Sequence, residues 1–211
     1  LNLVKVLLGQ KRKVKMKKRC FWANPKNPLY LDYHDFEWGR PVHDDHHLFE
    51  MLILEGVQAG LSWETVLNKR AHYREMFDDF DPEKVAAYSE AKLRRFLKDP
   101  GLIRNKLKME AAVSNAKMFL KVQKEFKTFD KYLWSFVGNK PLRVEGITSV
   151  KDCPTETPIS RALSKDLKKR GFKFVGSTIM YAFMQAVGMT NDHTVDCFLY
   201  GKKIRSLKRV R

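Results

Sequence analysis

Apolar residues recur at intervals of three and four along almost the whole of this sequence, and the alternation typical of strands is nearly absent. Many of the periodic segments begin at Ser, Asp or Asn and several end at glycine, which are the usual start and stop residues of helices. The helices predicted in the first two thirds of the chain cover residues 44–56, 62–77, 82–88, 89–97, 105–126 and 129–137. The sequence therefore predicts an all-α fold.

The last third of the chain contains two further periodic segments joined by a short turn with glycine at both ends. The first segment starts at Ile159 and ends in the cationic residues 168–170 before Gly171, which is a strong helix stop signal. The second segment begins at Ser177 and ends at Gly188. We therefore expect a helix, a tight turn and a second helix.

The turn has the sequence G-F-K-F-V-G at residues 171–176 and is predicted to form a short hairpin. Outward N–H groups and the dipole of the following helix suit a phosphate group, and Lys173 adds a positive charge. Gly171, Lys173, Gly176 and Ser177 are therefore candidate phosphate contacts. An ordinary helix–helix turn with two capping glycines is the alternative.

Two stretches near the end of the chain are less regular. Residues 138–157 show no period and contain Gly, Pro and Thr, so they are predicted to form a long connection. Asn191 or Asp192 is expected to cap a final helix that runs through Cys197 to Tyr200.

The positive charge of the chain is concentrated at its two ends. Lysine and arginine number 41 against 24 acidic residues, which gives a formal net charge of +17. Residues 1–19 hold eight of the basic residues, residues 201–211 hold six, and neither segment contains an acid. We therefore expect one nearly neutral domain, residues 20–200, between two basic tails that are attracted to polyanions or serve only as solubilising ends.

The cysteine content and the apolar runs indicate a reducing, non-membrane setting. Three cysteines are too few and too scattered for a disulfide framework: Cys20, Cys153 and Cys197. No apolar run approaches the ~20 residues that a membrane-spanning helix needs. We therefore expect a cytoplasmic protein.

Four residues form a candidate metal site. His193 and Cys197 are four residues apart on the predicted final helix and therefore share a face. Cys20 and His34 lie in the irregular N-terminal stretch, and two thiolates with two imidazoles form a closed, structural zinc site. The spacing of Cys20 and His34 is not finger-like. From the residues alone, a buried cysteine and a capping histidine are the simpler interpretation.

Glu55 follows the apolar run 51–54 on a face that the helical period predicts to be buried. A lone buried carboxylate is costly unless it has a partner or a function. Several aromatic residues flank this segment in the sequence: Trp22, Tyr30, Tyr33, Trp38 and Trp63. They predict a pocket for a flat, electron-poor or cationic ligand, with Glu55 accepting its N–H groups. The alternative, which the residues alone favour equally, is that the aromatic residues belong to the core and that Glu55 caps a neighbouring helix.

Five stretches resemble one family in the same order along the chain. They are R-C-F-W (19–22), P-L-Y-L-D-Y-H-D-F-E-W-G (28–39), L-F-E-M-L-I-L-E-G-V-Q-A-G-L-S-W (48–63), L-W-S-F-V (133–137) and the long segment 163–193. On these motifs the chain resembles the bacterial 3-methyladenine DNA glycosylase I family from about Cys20 to Tyr200. The two basic tails have no counterpart in this resemblance.

The resemblance implies an all-α helix-hairpin-helix DNA glycosylase fold in which a structural zinc ion joins the N- and C-terminal segments. It implies one Zn²⁺ per chain, held by Cys20, His34, His193 and Cys197. It also implies a base pocket in which Glu55 is catalytic and four aromatic side chains bind the substrate: Trp22, Tyr33, Trp38 and Trp63. The turn 171–176 is expected to grip the phosphate backbone.

The implied substrate is double-stranded DNA that contains N3-alkylated adenine, and the implied process is base-excision repair. Methylation at N3 leaves adenine cationic, so the glycosidic bond is weakened and the base leaves as a neutral molecule. The enzyme then has to flip the nucleotide out, hold the base and admit water. Since no lysine is marked as a nucleophile, we expect a monofunctional glycosylase without strand cleavage, acting as a monomer.

Two further residues have alternative roles at this stage. Leu61, after Gly60, is a candidate wedge into the gap in the base stack, and a core position is the alternative. Asp192 falls near the place of a catalytic Asp in the wider superfamily, but this family is regarded as lacking that role, so we expect a helix cap. The rival function is a noncatalytic helix-hairpin-helix DNA-binding module, against which Glu55 and the aromatic residues argue.

Overall fold

The computed structural model of this protein describes residues 17–202 and residue 206. The predicted basic tails, 1–19 and 201–211, therefore lie mostly outside the described residues. In the described residues the regular structure is almost entirely helical, which confirms the predicted all-α class. No helix in this part of the chain is long and apolar enough to cross a membrane.

The described part of the chain forms nine α-helices and two very short strands. The helices are α1 (Pro28–Phe36), α2 (Asp45–Gln58), α3 (Trp63–Met76), α4 (Pro82–Ala86), α5 (Glu90–Phe96), α6 (Lys106–Phe126), α7 (Phe129–Ser135), α8 (Pro158–Lys169) and α9 (Ser177–Ala186). The strands β1 (Leu142–Arg143) and β2 (Thr190–Asn191) pair in parallel. Single turns of 3-10 helix lie at Asp78–Phe80 and Val150–Asp152.

Side-chain caps fix the starts of the helices that carry the site. The side chain of Asp44 accepts a hydrogen bond from the backbone N–H of His47 at 3.0 Å and starts α2. The hydroxyl of Ser62 accepts one from the N–H of Thr65 at 3.1 Å and starts α3. Both helices thus start where the sequence predicts. A short polar side chain favours a helix start because it satisfies N–H groups that lack a helical partner.

The N-terminal stretch, which the sequence analysis treats as irregular, contains the helix α1. The side chain of Asn27 accepts a hydrogen bond from the N–H of Leu29, and Pro28 occupies the first helical position, where its missing N–H costs nothing. This helix carries Tyr33 and His34, both of them buried. The expectation of an irregular stretch around His34 is therefore wrong.

Helix α2 is the central element of the fold. Every residue from Leu48 to Val57 is buried, and α2 packs against α3, α6, α7 and α9. The ring of Phe49 lies 5.0 Å from the ring of Phe119 on α6. Since the helix is covered on all sides, its one glutamate near the C-terminal end, Glu55, is forced into the interior.

The predicted final helix after Asp192 does not form. Residues 192–200 follow β2 as a loop and turns. The carboxylate of Asp192 is buried and accepts hydrogen bonds from the side chains of Tyr181, Gln185 and Thr190. These donors occupy the oxygens that a helix cap would offer to backbone N–H groups, so the capping role expected for Asp192 is wrong.

Candidate active site and metal centre

Glu55 is a buried carboxylate without a hydrogen-bond partner on its Oε2 atom. Its side chain is 3% exposed, and Oε2 is paired with no group in the described part of the chain. Burial raises the pKa of Glu55 to about 8, and the positive charge of Arg70 opposes this only in part. A group in this state favours any ligand that brings a positive charge or N–H donors into the pocket.

Glu50, one and a half turns earlier on α2, shows the opposite arrangement. Arg70 and Arg74 both donate to its carboxylate, at 2.8 Å and 2.6 Å from their Nε atoms. Burial raises the pKa of Glu50, but these hydrogen bonds outweigh it and the net shift is downward. Of these two buried carboxylates on one helix, Glu50 is paired with arginines of the protein, whereas Glu55 has an oxygen available for an external partner.

Aromatic rings surround the Glu55 carboxylate. The rings of Tyr33 and Trp63 are 5.3 Å apart, and those of Trp22 and Trp38 are 4.8 Å apart. These four side chains and Glu55 line one cavity of about 380 Å³. The structure thus brings together all five residues that the sequence analysis assigned to the base pocket.

The cavity also holds a second unpartnered polar atom. The indole Nε1 of Trp63 is buried and donates to no group in the described residues. Glu55 thus offers an acceptor and Trp63 a donor within one aromatic cavity. This combination matches a flat heterocycle that carries both N–H groups and ring nitrogens.

Several other residues line the cavity that the sequence analysis did not assign to it. They include Gln58, Gln185, Asp192 and Thr194, together with the loop residues Ile147, Val150, Cys153 and Pro154. The position of Gln58, three residues after Glu55 and hence on the same helix face, was a usable signal. The loop residues gave none, because only the tertiary fold brings the connection 138–157 over the pocket.

Cys20, His34, His193 and Cys197 converge on one point, as the sequence analysis expected. Their four ligand atoms all lie within 4.8 Å of one another, and all four residues are buried. His193 and Cys197 reach this point from the turns after β2 and not from a helix, so their predicted helical spacing is wrong although their convergence is confirmed.

The surroundings of the four side chains fit a metal ion. Asp35 Oδ1 lies 2.9 Å from Nδ1 of His34, and Asn191 Oδ1 lies 2.8 Å from Nδ1 of His193, so the Nε2 atoms are directed inward. Nε2 of His193 is buried and has no partner in the described residues. An orphaned imidazole nitrogen beside two thiols is the donor set of a tetrahedral zinc site.

Backbone groups support the sulfur atoms of this cluster. The N–H of Thr194 donates to Sγ of Cys20 and the N–H of Leu199 to Sγ of Cys197, both at 3.4 Å. The neighbouring thiol of Cys20 and the ring of His34 lower the pKa of Cys197, which favours its thiolate. The same contact, together with burial, raises the pKa of Cys20, so the pair favours one thiolate, on Cys197, and a metal ion would have to displace the proton of Cys20.

The metal cluster and the aromatic pocket share a wall. The ring of Trp22 lies 5.1 Å from that of His34, and the ring of Trp38 lies 4.8 Å from that of His193. Gly39 makes this packing possible, because a Cβ there would lie 2.9 Å from His193 Cε1. The cluster therefore supports two of the rings that line the cavity.

The turn between α8 and α9, residues 171–176, is held to the rest of the molecule by buried polar side chains. The hydroxyl of Ser164 on α8 donates to the carbonyl of Val175 at 2.6 Å. Gly171 has a φ of +97°, a conformation that favours glycine. The candidate contacts Lys173, Gly176 and Ser177 are thus presented from one fixed turn, and the Ser177 hydroxyl is bonded to the carboxylate of Glu156.

Leu61 lies in the turn between α2 and α3 with its side chain exposed. Its exposed fraction is 38%, and it follows Gly60, whose φ is +77°. This exposure removes the alternative that Leu61 is a core residue. A large apolar side chain at the tip of a turn beside the pocket is available to a partner.

Together, the all-α fold and the buried acid in an aromatic cavity define a protein whose site is suited to a flat heterocycle. Residues 22–200 match the methyladenine glycosylase family. The chain belongs to this family.

The comparisons with individual proteins agree with this assignment. The chain is 51% identical over 182 residues to DNA-3-methyladenine glycosylase 1 of Escherichia coli strain K12. The aligned residues cover 86% of this chain and 96% of that protein. A crystal structure of 3-methyladenine DNA glycosylase I superposes with a TM-score of 0.82 at 50% identity, covering 86% of this chain and 98% of the other.

A third relative, 3-methyladenine DNA glycosylase I from Staphylococcus aureus, was solved to explain how that enzyme recognises 3-methyladenine. It superposes with a TM-score of 0.80 at 40% identity, covering 84% of this chain and 94% of the other.

Proposed function

We propose that this protein is a DNA base-excision repair glycosylase that hydrolyses the N-glycosidic bond of 3-methyladenine in alkylated double-stranded DNA. The observation that carries the proposal is the unpaired, buried carboxylate of Glu55 inside a cavity walled by aromatic rings. The names of the relatives support the choice of base, since both the E. coli and the S. aureus proteins are 3-methyladenine DNA glycosylases.

Recognition follows from the charge of the damaged base. The cationic ring stacks on the indole and phenol rings of the pocket, which attract it more strongly than they attract neutral adenine. Glu55 accepts hydrogen bonds from the amino edge of the base and is ionised by its positive charge, and each such bond contributes about 1.5–3 kcal/mol. Undamaged adenine lacks the charge that offsets the cost of ionising Glu55.

Bond cleavage then needs little further help from the protein. The methylated base already carries a positive charge, so it leaves as a neutral molecule when the glycosidic bond breaks. Water adds to the sugar in its place. Among the described residues no lysine lines the cavity, so the chain offers no amine for a Schiff base there, and the proposal is a monofunctional enzyme without strand cleavage.

DNA binding is assigned to two turns beside the pocket. The α8–α9 turn serves as the hairpin of a helix-hairpin-helix motif, in which Gly171, Lys173, Gly176 and Ser177 contact phosphates. Leu61 enters the gap that the flipped nucleotide leaves in the stack. The basic segments 1–19 and 201–211 add salt-sensitive, nonspecific affinity for DNA.

The four-residue cluster is proposed to hold one structural Zn²⁺ through Cys20, His34, His193 and Cys197. A closed set of four protein ligands leaves no open position for water, so the ion stabilises the fold and takes no part in the reaction. The monomeric state and the cytoplasmic location expected from the sequence stay predictions.

The decisive experiment is product analysis with methylated duplex DNA. The Glu55→Ala variant is expected to lose most release of 3-methyladenine, because it removes the one unpaired carboxylate of the pocket. Its circular dichroism is expected to stay native. Release at the rate of the unchanged protein would contradict the role of Glu55.

The rival, a noncatalytic DNA-binding module, is tested with the free base. The aromatic cavity is expected to bind free 3-methyladenine and quench the fluorescence of its three tryptophans, Trp22, Trp38 and Trp63. A module that binds only the DNA backbone would show no quenching and would release no base from methylated DNA.

A further inference from the structure

Helix α6 carries two buried polar side chains that lie outside the cavity and outside the metal cluster. Lys108 is 8% exposed and Asn115 is 3% exposed. They are seven residues apart, which is about two turns, so they lie on the same face of the helix. Each binds the backbone of a different turn.

Lys108 binds the C-terminal end of α2. Its Nζ donates to the carbonyl of Val57 at 2.7 Å and to that of Ala59 at 2.6 Å. No carboxylate within the described residues pairs with this ammonium group. The last carbonyls of a helix lack helical partners and carry partial negative charge, so a buried lysine is well placed there.

The carbonyls that Lys108 holds are the base of the turn that presents Leu61. Gly60 follows Ala59 with a positive φ, and the N–H of Leu61 donates back to the carbonyl of Gln58 at 2.6 Å. The exposed side chain of Leu61 is therefore two residues from an atom that Lys108 fixes. We call residues 59–61 the wedge turn.

Asn115 binds the α8–α9 turn in the same manner. Its Oδ1 accepts from the N–H of Lys173 at 2.7 Å, and its Nδ2 donates to the carbonyl of Lys173 at 2.9 Å. The side-chain amide of Asn115 thus holds both the N–H and the carbonyl of Lys173, in the middle of the turn 171–176. The α8–α9 turn also packs against the C-terminal part of α2, since a Cβ on Gly56 would lie 3.4 Å from Cβ of Phe174.

We infer that α6 fixes the distance between the wedge turn and the α8–α9 turn, and that Lys108 and Asn115 are positioning residues for the engagement of duplex DNA. The inference rests on the proposed function, which assigns both turns to DNA. The wedge has to enter the base stack while the other turn holds phosphates of the same duplex, so their separation has to match the spacing of the DNA. Neither side chain lines the base pocket.

The Lys108→Met variant separates positioning from a general loss of structure. The proposal expects its affinity for free 3-methyladenine to stay within about twofold. Its kcat/KM on methylated duplex DNA is expected to fall on the order of tenfold or more, because a small misplacement of a binding element is costly. Hydrogen exchange at the N–H of Leu61 is expected to accelerate. The exposed Lys121 on α6 provides the control variant Lys121→Met, which is expected to change none of these quantities.

The salt dependence of DNA affinity distinguishes positioning from direct phosphate contact. Lys173→Met is expected to reduce the slope of log affinity against log salt by about one phosphate contact, whereas Lys108→Met is expected to leave the slope unchanged. A slope that falls by about one in Lys108→Met would overturn the inference, because the lysine would then bind DNA itself.

The Asn115→Asp variant provides the second arm, because it keeps the size of the side chain and the acceptor for the Lys173 N–H. Loss of the donor is expected to lower duplex excision and to leave free-base affinity intact. An unchanged kcat/KM in both variants, or a parallel loss of free-base binding, would overturn the positioning roles. Failure of the unaltered protein to release 3-methyladenine would contradict the proposed function instead. The exchange rate at Leu61 would still decide whether Lys108 fixes the wedge turn.

Discussion

At the scale of single residues, Glu55 stabilises the fold less than a neutral side chain would. Its carboxylate is buried with one oxygen unpaired, and burial raises its pKa to about 8. A carboxyl whose pKa in the folded protein exceeds its unfolded value of about 4.5 binds more protons in the folded state between these two values. The stability of the protein therefore falls as the pH rises through this window.

The Glu55→Gln variant is expected to be more stable than the unaltered protein at high pH. The amide has the same shape and carries no charge, so it avoids the cost of ionising a buried group. The expected gain is on the order of 3–5 kcal/mol at pH 9, from about 1.4 kcal/mol for each pKa unit, and it declines to nearly nothing at pH 5. Urea denaturation at a series of pH values measures the difference.

Glu50→Gln is the matched control on the same helix. The pKa of Glu50 is lowered overall, since hydrogen bonds from Arg70 and Arg74 outweigh the effect of burial. Its contribution to stability is present above the unfolded pKa and is lost as the pH falls through the folded value, so this variant is expected to be less stable from pH 5 to pH 9. A Glu55→Gln variant that loses stability across the same range would contradict the raised pKa of Glu55.

The chemistry of single residues was predictable where the local sequence was anomalous. A glutamate at the end of an otherwise apolar run marks Glu55, since such a run predicts burial and a buried carboxylate needs a reason. Gln185 and Asp192 carry no such mark. They line the cavity and bond to each other at 2.7 Å only because β2 returns beside α9, which the sequence pattern does not show.

At the scale of elements, helix starts were predictable and helix absences were not. Asp44 and Ser62 cap α2 and α3 as expected, because capping is a local interaction over three residues. The expected cap at Asp192 fails because Tyr181 and Gln185 on α9, together with the nearby Thr190, donate to its oxygens. A capping residue predicts a helix only while no tertiary donor competes for it.

The hydrogen bond that holds the α8–α9 turn to α8 can be tested by a substitution at Ser164. Ser164→Ala removes the hydroxyl that donates to the carbonyl of Val175 and leaves that buried carbonyl unpaired. The expected loss in the free energy of unfolding is about 1–3 kcal/mol. Affinity for undamaged duplex DNA is expected to fall as well, because the turn that we propose to contact phosphates loses this hydrogen bond to α8.

Ser114→Ala on α6 is the control for this change, since Ser114 is partly exposed and alanine is the better helix former. It is expected to leave both the stability and the affinity for DNA nearly unchanged. Equal effects of the two variants would show that the Ser164 hydroxyl does not fix the turn.

At the scale of the whole molecule, the metal cluster closes the chain on itself. Cys20 and His34 come from the first described segment, and His193 and Cys197 come from the last. The N–H of Phe198 also donates to the carbonyl of Lys18 at 2.8 Å, so the backbone follows the same closure. Such long-range closure was out of reach of periodicity, which reports only neighbours along the chain. The residue types made these four side chains candidates, and the resemblance to a family decided in favour of their convergence.

Loss of the proposed metal is expected to weaken the pocket as well as the fold. The rings of His34 and His193 pack against Trp22 and Trp38, so a cluster that relaxes removes the support of two pocket walls. Cys197→Ser is expected to reduce zinc content from one per chain, to lower the Tm, and to weaken the quenching of tryptophan fluorescence by free 3-methyladenine.

Cys153→Ser is the matched control for this prediction, because Cys153 lines the cavity but lies outside the four-residue cluster. It is expected to keep its zinc content and to stay close to the original Tm. If Cys197→Ser also kept its metal, the four-ligand assignment would be wrong. If Cys197→Ser lost metal and stability while its affinity for the free base stayed unchanged, the cluster would stabilise the fold without influencing the pocket. The packing of Trp22 and Trp38 on the histidines would then not carry the loss of metal to the pocket.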